Sequence, residues 1–177
     1  MEKHGTVYWI TGLSGAGKTT IGTLLYERIR STKPNVFRLD GDIGRWAYND
    51  AVGYTKEDRE IGAYRNSRVC KMLADQGIDV VCCTISMFDG VRAWNRAHLD
   101  FYREIYLEVP LEVLVKRDQK GLYSKVRQGH AKDVVGMDLQ LELPKFPDAR
   151  VCNDGTRTPQ EVLQEILRQL DDGEWRS

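Results

Sequence analysis

No run of apolar residues in this sequence approaches the roughly 20 needed to cross a bilayer as a helix; the longest are strand-sized. Membrane insertion is therefore not expected. Neither sign of charge is in excess, since 26 Lys and Arg balance 26 Asp and Glu, and no global basic field invites a nucleic acid polymer. The opening Met1-Glu-Lys-His-Gly-Thr runs straight into a strand pattern, which reads as lacking a signal peptide. Cysteine is sparse: Cys70, Cys82, Cys83 and Cys152 show no CxxC or CxxH spacing. Adjacent Cys82 and Cys83 would point to opposite faces of a strand. The expectation is inert thiols in a reducing cytoplasm. His4, His98 and His130 are scattered, which argues against a histidine metal site. Repeats and linkers are also missing, so residues 1–177 read as one domain.

What is present is an alternation of short apolar runs with amphipathic ones. Strands are predicted at Val7–Thr11, Val36–Leu39, Asp79–Thr84, Glu104–Val109 and Arg150–Asn153. Helices are predicted at Lys18–Ser31, Lys56–Gln76 (stopping before Gly77), Val91–Tyr102, Leu111–Arg117 and Pro159–Leu170, the last with Thr158 as its cap. A mixed polar loop is expected between the second strand and residue 56. Strands separated by helices predict parallel pairing, hence a three-layer α/β fold around a mostly parallel five-stranded sheet. Residues 118–147 are rich in Lys, Arg, Gly and Asp with weak periodicity, and a stretch that long inside a compact domain points to function or to disorder.

Gly12-Leu13-Ser14-Gly15-Ala16-Gly17-Lys18-Thr19 fits the phosphate-loop pattern GxxxxGK[ST], after an apolar strand and before a helix. Glycines let the backbone turn and aim N–H groups at phosphate oxygens. The helix start adds partial positive charge. Lys18 is expected to reach the β and γ phosphates, and the Thr19 hydroxyl to ligate Mg²⁺. ATP and Mg²⁺ are therefore the expected cofactors. No N-K-x-D segment for guanine is present, and the third strand ends in Thr84-Ile85-Ser86 rather than in a carboxylate. Instead Leu39-Asp40-Gly41-Asp42 sets two acids just past the second strand, at the sheet end where α/β proteins form their ligand crevice. Two acids there can hold a hydrated cation and accept a proton from a hydroxyl.

These motifs together resemble the adenylylsulfate kinases, which transfer the ATP γ-phosphate to the ribose 3′-hydroxyl of adenosine 5′-phosphosulfate. The resemblance runs from Trp9 to about Pro144 and includes Asp40-Gly41-Asp42 with Arg45, Asp58-Arg59, Ile85-Ser86, Arg117-Asp118, Lys120-Gly121-Leu122-Tyr123, and Gly136 with Asp138. It implies a P-loop kinase fold in which Gly12 to Thr20 (Thr20 included) and Arg117 bind ATP. Lys18, Asp40, Asp42 and Ser86 are implied to be catalytic, and Thr19 and Asp40 to hold the metal. The acceptor falls to Asp42, Arg45, Tyr54, Arg59, Gly62, Ile85, Ser86, Lys120, Leu122 and Val134, with residues 118–145 closing as a basic lid. The implied partner is a small nucleotide acceptor. Family members are often dimers, although no heptad or large apolar face in this sequence demands one.

Departures from the family pattern cluster on the acceptor side. Ile43 stands where the family usually has Asn. Gly62 replaces an amide and Tyr64 an arginine, while Val134 replaces a lid phenylalanine that helps sandwich the adenine. Stacking on a base is worth roughly 1–3 kcal/mol. A branch of the family linked to capsule sugars phosphorylates cytidine diphosphoramidate, an acceptor with a smaller base, and it stands as the alternative acceptor. Retained function on adenylylsulfate, with Phe88, Tyr123 or Phe146 compensating, stays open, as does a catalytically silent nucleotide-binding module.

Overall fold

The computed structural model describes residues 4–48, 53, 55–118, 121, 124 and 142–172, with the backbone alone for Asp42 and Asp172. The chain runs β1 (Val7–Thr11), α1 (Lys18–Arg30), β2 (Val36–Asp40), α2 (Gly41–Ala47), α3 (Lys56–Ala74) and β3 (Asp79–Cys83). It continues through α4 (Asp89–His98), β4 (Tyr102–Glu108), α5 (Leu111–Arg117), β5 (Ala149–Cys152) and α6 (Pro159–Asp172). The strands form a single sheet in the order β2-β3-β1-β4-β5, every pairing parallel. β1 is central, so the turn that follows it opens between the ends of β3 and β4.

Alternation along the strands divides the core. Ile10, Val81, Ile105, Leu107 and Val151 face one side and pack with Ile21 and Leu25 of α1, Leu114 of α5, and Val162 and Ile166 of α6. Val7, Trp9, Val80 and Cys82 face the other side, against Ala63, Cys70 and Ala74 of α3 and Val91 of α4. Ile21 and Leu25 are each 1% exposed, and burying such side chains contributes about 1.5–3 kcal/mol apiece. That burial anchors α1, and with it the turn at its N-terminus. The expected three-layer α/β architecture and parallel five-stranded sheet are what the structure shows.

Most element ends shift by one or two residues from the sequence reading, and two regions differ by more. The loop expected after β2 is helix α2. Its exposed Ile43 and Trp46 give it little apolar face of its own. It leans on α3 through Gly44, where a Cβ would stand only 3.0 Å from Asn66 Oδ1. The helix predicted over Val91–Tyr102 lies instead at Asp89–His98. Tyr102 belongs to β4 because it pairs in register with Val7, and strand pairing overrides the helical pattern there. Helix starts follow the expected chemistry. Thr158 Oγ1 accepts the N–H of Glu161 while the Glu161 carboxylate accepts the N–H of Thr158. Thr55 and Asp58 make the same reciprocal box at the start of α3.

Candidate active site

The turn between β1 and α1 is built by close backbone approach. At Gly12 a Cβ would lie 2.7 Å from the Leu107 carbonyl oxygen of β4. Gly17, the N-cap of α1, sits at φ 88°, and a Cβ there would meet Asn153 Nδ2 at 2.6 Å. No side chain caps α1 and its first turn holds no acid. Nothing within the helix itself neutralises its positive end, which suits an anion. Lys18 Nζ donates to the carbonyls of Gly12 (2.9 Å) and Leu13 (2.8 Å), which holds the ammonium over the loop.

Asp40 ends β2, next to β3 in the sheet. Its Oδ2 accepts a 2.8 Å hydrogen bond from Thr19 Oγ1. The sequence reading expected a carboxylate facing the phosphate loop, and the structure brings Asp40 there. Asp42 lies two residues on, in the first turn of α2; its side chain is outside the described residues. Thr19 and Asp40 offer two hard oxygens side by side. Among the described residues no group of three or more His, Cys, Asp and Glu could cage a metal. That donor set fits Mg²⁺, which takes one or two carboxylates and completes its shell with water and phosphate.

Opposite this pair, β3 gives way to Thr84, Ile85 and Ser86. Thr11, fully buried, donates from Oγ1 to the Ser86 carbonyl at 3.5 Å and ties this segment to the end of β1. Ile85 is half-buried. Ser86 is 5% exposed, and its Oγ has no hydrogen-bond partner among the described residues. A buried hydroxyl in that state stands ready to bond a ligand, because leaving it unmet costs free energy. Cys83 Sγ lies 3.4 Å from the Lys18 carbonyl. Burial, with Asp40 adding to it, pushes this thiol up to about 12, and burial raises Cys82 as well. Neither offers a thiolate near neutrality.

On the acceptor side, Arg45 of α2 donates from Nη2 to the Gly53 carbonyl at 3.1 Å. Arg59 is one turn into α3, immediately after the Asp58 that boxes the helix start. Asp58 is thereby a cap that sets the position of Arg59. Gly62 is half-buried, and among the described residues nothing lies within 4 Å of where its Cβ would be. Phe88 packs against the core and Phe146 is 87% exposed. Tyr54, Lys120, Leu122, Tyr123 and Val134 lie outside the described residues, as does most of the expected lid.

Sequence reading missed the brace beneath the loop. Arg117 at the end of α5 donates to the Gly15 carbonyl (3.0 Å) and to the Asn153 carbonyl (2.9 Å). Asn153, just past β5, donates from Nδ2 to the Ala16 carbonyl at 2.8 Å. The available signal was positional: Asn153 follows a strand of a parallel sheet, at the end where such sheets bind ligands.

Comparison with known proteins agrees with this geometry. The family model described as "Adenylylsulphate kinase" matches residues 4–152. A cytidine diphosphoramidate kinase of Campylobacter jejuni subsp. jejuni serotype O:2 is 36% identical over 175 residues, 96% of this chain and 99% of that one. An adenylyl-sulfate kinase of Clostridium kluyveri is 40% identical over 169 residues, 94% of this chain and 84% of its own. Among solved structures, the Mycobacterium tuberculosis APS kinase in complex with AMPPNP and APS superposes with a TM-score of 0.86 at 34% identity. That alignment covers 95% of this chain and 98% of the other.

Proposed function

Because this chain belongs to the adenylylsulphate kinase family, we propose that it moves the γ-phosphoryl group of ATP to the ribose 3′-hydroxyl of a small nucleotide anhydride, with adenylylsulfate as the first candidate acceptor. The observation that carries the reading is the 2.8 Å contact between Thr19 and Asp40 beside the phosphate loop. A carboxylate beside the loop that would cradle a triphosphate supports the reading, because it could hold the cation that phosphoryl transfer needs.

The division of labour follows from charge. Main-chain N–H groups of residues 12–20 and Lys18 cradle the phosphates, while Arg117 and Asn153 keep the loop rigid beneath them. Thr19 and Asp40 would hold Mg²⁺, which when bound neutralises charge on the β and γ oxygens. Asp42 takes the proton from the acceptor hydroxyl as its oxygen bonds to the γ-phosphorus. The bond from that phosphorus to the bridging oxygen breaks, and ADP carries the electron pair away. Ser86 donates a hydrogen bond along the transfer path. Arg45 and Arg59 meet the anionic end of the acceptor, and guanidinium forks suit such groups. Ile85 and Gly62, together with Tyr54, Lys120, Leu122 and Val134, complete the acceptor side. Residues 118–145 form the lid. We read residues 1–177 as one kinase domain of the reducing cytoplasm, with a homodimer as the candidate assembly.

A second acceptor, cytidine diphosphoramidate, is favoured by the open space at Gly62. There an amide common in the family is missing, and Val134 offers little stacking surface to an adenine. The deciding experiment incubates the protein with Mg-ATP and a panel of nucleotide phosphosulfates and phosphoramidates. ADP release should depend on one of them, and ³¹P spectra of the product should show a new 3′-phosphomonoester. A folded protein that turns over none of the panel would remove the proposal.

A further inference from the structure

Where the chain rejoins the described fold at residue 142, it touches the beginnings of both helices on the acceptor side. Glu142 Oε2 accepts the main-chain N–H of Asp89, the first residue of α4, at 2.5 Å. Its Oε1 lies 3.8 Å from Nζ of Lys56, the first residue of α3. Its main-chain carbonyl accepts from Arg92 Nη2 at 2.6 Å. Arg92 is 6% exposed, also pairs with the Asp89 carboxylate, and stands 3.5 Å from Glu104 Oε1 on β4. One glutamate therefore spans the gap between two helix starts, and a buried arginine fixes its backbone to the sheet.

Those helix starts carry the groups that meet the acceptor. α3 presents Arg59 in its first turn, and α4 begins three residues after Ser86. The span through Glu142 ties the two helix starts together. We propose that Glu142 is a positioning residue for the acceptor, setting the distance between the Arg59 side and the Ser86 side of its pocket. The inference rests on the kinase reading above.

A purely structural role, pinning residues 142–148 in place, is already filled by other contacts. Arg96 donates to the Phe146 carbonyl at 3.1 Å, Arg150 to the Pro144 carbonyl at 2.8 Å, and the Glu104 N–H to Asp148 Oδ2 at 2.7 Å. The segment keeps these when Glu142 is changed. Glu142 is also partly exposed, 37% at its side chain, so its removal leaves no cavity in the core. What it adds is a charged link between the first residues of α3 and α4, helices that also approach each other where a Cβ on Gly90 would lie 3.0 Å from the Tyr64 hydroxyl.

The test compares wild type, Glu142→Gln and Glu142→Ala. In Glu142→Ala the KM for the acceptor should rise about tenfold, the order expected for losing one charge-assisted hydrogen bond. The KM for ATP should stay within about twofold, since the phosphate loop is untouched. Glu142→Gln keeps an oxygen for the Asp89 N–H but loses the charge facing Lys56, and should fall between the two. Equal rises in both KM values, or no rise in either with a lowered melting temperature, would overturn the assignment. Hydrogen exchange supplies a readout independent of turnover. In Glu142→Ala, peptides covering residues 55–60 and 88–92 should exchange faster while residues 146–152 do not change. Unaltered exchange at both helix starts would reject the inference even if the wild type proves inactive on every acceptor tried, an outcome that bears on the kinase reading instead.

Discussion

Thr19 and Asp40 are 21 residues apart in sequence and 2.8 Å apart in space, and this contact makes the sharpest prediction at the scale of single residues. Asp40→Asn keeps the shape and an oxygen to accept from Thr19, so the protein should fold and still bind nucleotide. It removes the negative charge proposed to hold the cation. Turnover should fall on the order of a hundredfold or more, as when one preorganised electrostatic partner is lost from an active site, and the Mg²⁺ concentration needed for half-maximal rate should rise. ADP release against Mg²⁺ titration measures both. Unchanged turnover would remove Asp40 from the mechanism. The residues of this half were readable in advance because the phosphate-loop motif is contiguous and Asp40 sits at a strand end. Asn153 and Glu142 were not. Each acts on a partner far along the chain, Ala16 in one case and Asp89 in the other, and single-residue chemistry gives an Asn or Glu in a loop no distinguishing mark.

At the scale of elements, strands and long helices followed from period and punctuation, while α2 escaped because it carries no apolar stripe, its Ile43 and Trp46 being exposed. Helix α3 poses the opposite question. It spans 19 residues and carries Gly62 within its first half, where glycine costs about 1 kcal/mol against alanine. Packing among the described residues does not require it, since a Cβ there meets none of them within 4 Å. A glycine that is unfavourable for the helix and unexplained by neighbours fits a position kept open for ligand. Gly62→Ala should therefore stabilise the protein by up to about 1 kcal/mol in denaturant unfolding. The same methyl group should raise the acceptor KM severalfold without altering the ATP KM. Stabilisation with no change in acceptor KM would show that Gly62 does not border the acceptor.

Across the whole molecule, the two layers on the α4 side meet through buried charge. Glu104 is 2% exposed on β4. Arg96 donates to it at 2.9 Å, Arg92 lies 3.5 Å away, and Asp148 joins the same cluster through Arg96 and the Glu104 N–H. Burial raises the carboxyl above its ordinary value, and the two arginines only partly offset this. The sign of the consequence follows directly. A carboxyl with a raised folded pKa holds its proton more tightly in the folded chain than in the unfolded one, so its contribution to stability is greatest at low pH and declines as pH rises through the interval just above the usual glutamate range. Glu104→Gln cannot titrate. The stability difference, wild type minus Glu104→Gln, should fall with rising pH across that interval and be level above it. Above that interval the variant, neutral like the protonated glutamate, should be no less stable than wild type. Unfolding measured by denaturant at a series of pH values gives both quantities. A difference curve with no slope would mean that Arg92 and Arg96 fully offset the burial of Glu104. The charge cluster would then act as a neutral joint between α4, β4 and the 142–148 segment rather than as a titrating one.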